Sequence, residues 1–202
     1  LDRQVAHRRG LSLRLLQASM DCLDMLGNGS FDIVVHPVST CYVPDVVPVF
    51  REVARVLRPG GIYVSQHKSP ISLQASHGRD TAGCYRIEHE YYRSDAIPNP
   101  QQESAASKRL RERGAVEYLH RLEELIGGIC RNSMVVEDFI EPVHAEDAPP
   151  GTFADRARFI APYLRIKARR VSGQAIEWAS ANAAPTSTAD TPSISGRIIL
   201  PF

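Results

Sequence analysis

Ser30–Ser65, SFDIVVHPVSTCYVPDVVPVFREVARVLRPGGIYVS, is the stretch on which the reading of this chain turns. Phe31–Val35 is a short, β-branched, nearly continuous apolar run, the pattern of a strand covered on both faces in a parallel sheet. From Pro48 to Leu57 the apolar residues Val49, Phe50, Val53, Val56 and Leu57 recur at helical spacing, with Arg51, Glu52 and Arg55 expected to face outward. Arg58-Pro59-Gly60-Gly61 should stop that helix, because proline cannot continue it and two glycines permit both a positive-φ cap and a close approach to the sheet. Ile62–Ser65 then reads as a second buried strand. Strand, helix, tight turn and strand make a βαβ unit, right-handed in nearly all cases, and predict an α/β protein with a parallel sheet.

Working outward, Leu1–Arg9 reads as the last turns of a helix capped by Gly10, and Leu11–Gln17 as a strand followed by a loop at Ala18–Asp21. Downstream, Ala115–Cys130 has helical spacing. Met134–Ile140 and Tyr163–Ala168 read as strands that give the sheet an antiparallel finish, with Arg165, Lys167, Arg169 and Arg170 on the exposed side. Between about Lys68 and Arg113 the periodicity breaks down around the tyrosine-rich segment Tyr85–Tyr92, as expected of a cap over a site. The Ser-, Thr-, Ala- and Pro-rich stretch from Ser172 predicts a disordered tail. The expected organisation is one α/β domain over 1–171, with a cap at about 68–113 and a tail at 172–202.

Composition narrows the function classes. The 202 residues carry 24 basic and 23 acidic side chains, so a net charge of +1 offers no broad field for nucleic acid or anionic lipid, and small-molecule partners are favoured. Cys22, Cys41, Cys84 and Cys130 form no C-x-x-C pair and read as reduced thiols, with no zinc site. No apolar run approaches the roughly 20 residues of a membrane span, and no secretory signal opens the chain, so a cytoplasmic location is expected.

The segment 30–65 resembles the second half of class I S-adenosylmethionine-dependent methyltransferases of the type 11-like kind. In that family an Asp opens the fourth strand, here Asp32, and the next helix ends R-E-x-x-R-V-L-[KR]-P-G-G, matched by Arg51-Glu52 and Arg55–Gly61. Gln17-Ala18-Ser19-Met20 is similar to the family's Q-G-D-M after the third strand, and Leu125–Gly128 through Phe139 to its late helix and sixth strand. The resemblance implies a Rossmann-like, mostly parallel sheet with helices on both faces, and methyl transfer from S-adenosylmethionine to an O, N or C nucleophile of a small molecule. Two departures accompany it: the Gly-rich E/D-x-G-x-G-x-G turn and the ribose-binding acid are absent, and Ser19 stands where the family has an adenine-binding Asp. These imply an N-terminally truncated member whose cofactor binding is weak. In the family's strand order, 3-2-1-4-5-7-6, its third strand would then lack neighbours, so homodimerisation through the open edge of the fourth is also expected.

The resemblance places Ser19 and Met20 at the adenine and His36 and Pro37 at the methionine end of the cofactor. His36 directly follows a strand at the carboxyl edge of the sheet, where an imidazole near its ordinary pKa can act as general base. Tyr42, His67, Tyr91 and Tyr92 are candidates for the acceptor pocket, and Cys41 for a small buried side chain. Glu88-His89-Glu90 alternates faces and makes no metal cluster. His7, His77, His120 and His144 read as solvent-facing, and Lys108–Arg113 as a solvated helix face. A non-catalytic remnant serving as an interaction module is the alternative function, and a nucleotide-dependent oxidoreductase is disfavoured by the missing Gly-rich turn.

Overall fold

The computed structural model describes residues 2–12, 14–99, 110–112, 114–143 and 148–172. Four strands form one sheet in the order β1-β2-β4-β3: β1 (Phe31–His36), β2 (Leu57–Lys68), β3 (Met134–Ile140) and β4 (Tyr163–Arg170). β1 and β2 are parallel, and β4 runs antiparallel to both β2 and β3, so three of the four strands point one way. This is the mostly parallel sheet with an antiparallel finish that the sequence predicts.

The βαβ unit forms as expected. α2 (Val47–Val56) buries Val49, Phe50, Val53, Ala54 and Val56 along one stripe. The chain turns into β2 at once, at Leu57 rather than Ile62, and carries Arg58–Gly61 through an irregular register opposite Phe31–Ile33. Gly61 is required by packing: a Cβ there would sit 2.9 Å from the Arg58 carbonyl oxygen and 3.1 Å from that of Asp32. Glu52 and Arg55 do not simply face outward. Arg55 donates to the carbonyls of Leu23 (2.9 Å) and Leu26 (2.8 Å), and Glu52 Oε2 accepts from the Leu23 backbone N–H (2.8 Å). The two side chains are joined at 2.7 Å, so the R-E-x-x-R pattern clamps the preceding loop to the helix.

A π-helical turn, Glu123–Gly127, runs into α4 (Gly128–Arg131), and with α2 covers one face of the sheet. The core lies between them: Phe50, Val53, Leu57, Tyr63, Leu125, Ile129, Met134, Leu164, Ile166 and Ala168 are buried and mutually packed. Burying each such large apolar side chain is worth about 1.5–3 kcal/mol. The opposite face carries Arg165, Lys167 and Arg169, with Lys167 paired to Glu137 at 3.0 Å, but also the exposed Ile33 and Val35 (57% and 71%). α2 and the Glu123–Arg131 segment pack on the other face.

Two expected elements are corrected. Leu11–Gln17 is no strand: its described residues pair with no strand, and Leu11 and Leu16 stay exposed, since a strand exists only where a neighbour takes its backbone groups. α1 (Asp2–Arg8) before it does form. Ala115–Arg121 is not helical, because its backbone is used elsewhere: Ile97 N donates to Glu117 O (2.7 Å) and Tyr118 N to Cys41 O (2.7 Å). After β2 the cap region begins with the short α3 (Pro70–Gln74), and α5 (Phe153–Ala157) precedes β4. The expected tail from residue 173, and Lys108, Arg109, Arg113 and His144, lie outside the described residues.

Candidate active site

The carboxyl ends of β1 and β2 lie side by side, with His36 paired to Ser65 in register, and open α/β sheets bind ligands at this edge. A web of hydrogen bonds fixes the loop that leaves β1. His36 Nδ1 bonds with the Tyr63 hydroxyl (2.9 Å) and Nε2 with Ser39 Oγ (2.8 Å). Thr40 opens a 3₁₀ turn (Thr40–Tyr42); its Oγ1 meets His67 Nδ1 at 2.9 Å, and its carbonyl accepts from His120 Nε2 at 3.0 Å. A carbonyl can only accept, so His120 carries its proton on Nε2, which also donates to the Val43 carbonyl at 2.9 Å.

Burial sets the electrostatics of these three imidazoles. Desolvation lowers the pKa of His36 and of His120, and drives that of His67 down to about 3, with His36 and His120 adding smaller like-charge effects. All three are neutral at neutral pH. His120 is therefore not solvent-facing but a buried strut under the loop, and Cys41 is the small buried side chain expected, its thiol pushed up to about 12 by burial. His67 lies wholly inside, with Nε2 on Ser65 Oγ (2.8 Å) and Nδ1 on Thr40, which leaves no ring nitrogen for a ligand; its role is to hold the loop.

Beyond Lys68, where β2 ends, lies a cavity of about 560 Å³, walled by Ser72 and Leu73 of α3, Ala75, His77, Gly78, Glu88, His89, Ile97–Asn99, Leu110, Arg111 and Glu117. Its floor is a buried charge cluster that periodicity could not reveal. Lys68 Nζ donates to Glu117 Oε1 (2.5 Å) and the Leu110 carbonyl (2.6 Å), and Arg111 Nε stands 3.5 Å from Glu117 Oε2. The side chains of Lys68, Arg111 and Glu117 are only 8%, 7% and 0% exposed, so Arg111 belongs to the interior rather than to a solvated helix face. A smaller cleft of about 350 Å³ shares Lys68, Leu110 and Arg111 with the cavity and adds Val38 and Tyr42 from the loop after β1. Tyr42 thus borders a pocket, its phenol raised to about 12, chiefly by desolvation.

The cap is anchored from the far end of the chain. Buried Arg156 donates to the carbonyls of Ser72 (2.8 Å), Ala75 (3.1 Å) and Ser76 (2.9 Å) and to Ser72 Oγ (2.8 Å), taking up backbone oxygens at the end of α3. Its neighbour Asp155 accepts twice from Arg79 (2.7 and 2.8 Å) and once from Tyr85 (2.9 Å), and these bonds, led by Arg79, hold the carboxyl well below its ordinary range. The one sequence signal here is Thr152, whose hydroxyl caps α5 by accepting from Asp155 N.

The remaining predicted residues are spread out. Tyr91 and Tyr92 form an edge-on pair with ring centroids 5.3 Å apart; Tyr92 is 79% exposed beside Arg121, and from this segment Glu88 and His89 line the cavity instead. Ser19 is exposed and bonds to Asp21, and its carbonyl accepts from Cys22 N at 3.1 Å. His77 is half-buried, not solvent-facing. Among the described residues no group of His, Cys, Asp and Glu could hold a metal, and no helix is long and apolar enough to cross a membrane. Against S-adenosylmethionine the fit is partial: Ser19 is bonded to Asp21 and both ring nitrogens of His36 to Tyr63 and Ser39, and the printed sequence shows neither the Gly-rich turn nor the ribose-binding acid.

Comparison with known proteins agrees with this geometry. Residues 1–65 match the methyltransferase domain family. The chain is 31% identical over 140 residues to the uncharacterized methyltransferase YbaJ of Bacillus subtilis, covering 69% of this chain and 54% of that protein. It is 32% identical over 126 residues to 24-methylenesterol C-methyltransferase 2 of Oryza sativa, covering 61% and 34%. It thus spans about half the length of the first curated relative and a third of the second. Similar solved structures include an S-adenosylmethionine-dependent methyltransferase from Mesorhizobium loti, with a TM-score of 0.59, 21% identity and coverage of 84% of this chain and 77% of that one. A putative one from Listeria monocytogenes has a TM-score of 0.61, 13% identity and coverage of 84% and 75%. Residues 1–65 therefore resemble a methyltransferase domain, and the chain has the fold of class I S-adenosylmethionine-dependent methyltransferases.

Proposed function

We propose that this chain serves S-adenosylmethionine-dependent methyl transfer to an O, N or C nucleophile of a small molecule seated in the 560 Å³ cavity. The observation that carries the reading is the junction at the carboxyl ends of β1 and β2. There the cleft beside Val38 and Tyr42 meets the cavity across the shared wall of Lys68 and Arg111. The cofactor supplies a methyl group already activated on a sulfonium. The chain's own task is then to orient the acceptor and exclude water, which by itself accounts for much of the acceleration in reactions of two bound partners. His36, kept neutral by burial, would take a proton from the acceptor on Nε2 once the acceptor displaces the Ser39 hydroxyl bonded there, with Tyr63 holding Nδ1. Ser19 and Met20 would border the adenine, Pro37 the methionine end, and Tyr42 the acceptor.

Ser19 in place of a carboxylate withdraws a charge-assisted hydrogen bond worth about 1.5–3 kcal/mol, so cofactor affinity in this chain is expected to be low. Calorimetric titration of the 202-residue chain with S-adenosylhomocysteine tests the reading: saturable binding with a Kd above about 100 μM is expected. Absence of any binding would overturn the proposal, and much tighter binding would overturn only the expectation of weakness. A second reading, a non-catalytic interaction module or homodimer, is favoured by exposed Ile33 and Val35 on the outermost strand, whose far edge pairs with no strand among the described residues. Sedimentation equilibrium tests it: a monomer at all concentrations removes the dimer.

A further inference from the structure

We infer that the cavity recognises its occupant through a carboxylate seated against Lys68 and Arg111, with an apolar body lying along Leu73, Ile97 and Pro98. The inference deepens the proposed methyl transfer by naming the class of acceptor, and to that extent rests on it. Three cations surround the cavity with their charge inside the protein. Lys68 and Arg111 face it, and Arg156 lies directly behind Ser72 and Ala75, bonded to neutral oxygens only. Among the described residues the buried anion facing them is Glu117, since Glu88 lies at the exposed rim and Asp155 is engaged by Arg79. An excess of buried positive charge is costly unless an anion joins it.

The donors needed are present. Arg111 spends one Nη1 N–H on the Pro98 carbonyl (2.6 Å) and one Nη2 N–H on that of Ile97 (3.2 Å), while its Nε, shut off from solvent, faces Glu117 Oε2 at 3.5 Å. Lys68 uses two of its three N–H donors. The second N–H of Arg111 Nη1 and of Nη2, and the third of Lys68, remain to meet the two oxygens of a carboxylate. A phosphate dianion would bring a second charge against Glu117. His77 on the cavity wall has its pKa lowered to about 4, chiefly by burial and then by Arg156, Arg111 and Lys68.

Binding of benzoate, benzamide and inorganic phosphate to the full chain, followed by calorimetry and ligand-observed NMR, tests the assignment. Benzoate should bind with a millimolar Kd and benzamide and phosphate at least about tenfold more weakly. Arg111→Gln should weaken benzoate by a similar factor. Glu117→Gln, which removes the competing anion, should tighten it, an opposite shift that a purely structural cluster would not produce. Equal binding of benzoate and benzamide, preference for phosphate, or benzoate affinity unchanged or weakened in Glu117→Gln overturns the inference. Titration with S-adenosylhomocysteine in the same samples separates the two claims: binding of the nucleoside without benzoate sinks this one, and the reverse sinks the methyl-transfer reading.

Discussion

His67 should make this protein lose stability as the pH falls from 7 to 5. In the unfolded chain its imidazole titrates near 6.5, while in the fold burial holds its pKa at about 3. The unfolded state therefore binds the proton first, and stability rises with pH between these values. The contribution is complete above about 6.5 and is lost as the pH falls toward the folded pKa. At pH 5 the unfolded imidazole is almost fully protonated and the folded one almost fully neutral, so moving from pH 7 to 5 costs about 2 kcal/mol through this residue. Urea unfolding of the wild type and of His67→Gln at both pH values isolates the effect, since His36, His120 and His77 titrate in both proteins. The wild type should lose about 2 kcal/mol more than the variant over this interval. Equal losses, within about 0.5 kcal/mol, would refute the view that His67 is held neutral between Thr40 and Ser65.

Three further outcomes follow from the geometry. Gly61→Ala should destabilise the fold by about 1–3 kcal/mol in urea unfolding, because its Cβ meets backbone oxygens that cannot move aside. Arg55→Ala should free the loop it clamps, seen as roughly tenfold faster hydrogen exchange at Leu23, with β2 and β4 amides unchanged. Where methyl transfer is measurable, His36→Ala should lower kcat by about 10²-fold, and the wild-type rate should fall as acid protonates an imidazole whose pKa lies below 6.5. An unchanged rate would remove His36 from proton transfer.

What the sequence by itself determined was much of what short-range periodicity governs. The strand at Phe31, the stripe of Val49, Phe50, Val53 and Val56, and the strands at Met134 and Tyr163 were legible in the pattern of apolar residues, whereas the helix ends at Val56 and Arg58–Gly61 belongs to β2. His36 and Tyr42 were legible as site candidates because a loop leaving a strand end lies where such sheets bind ligands. Tertiary structure alone decided the rest. Leu11–Gln17 alternates like a strand but has no ladder to join, and Ala115–Arg121 has helical spacing but gives its backbone to Ile97 and Cys41. The inward turn of Glu52 and Arg55, and the meeting of Lys68, Arg111 and Glu117 from distant segments, are likewise invisible in one dimension. A charged residue reads as exposed until an opposite charge or a carbonyl, brought close only by the folded chain, compensates the cost of removing it from water.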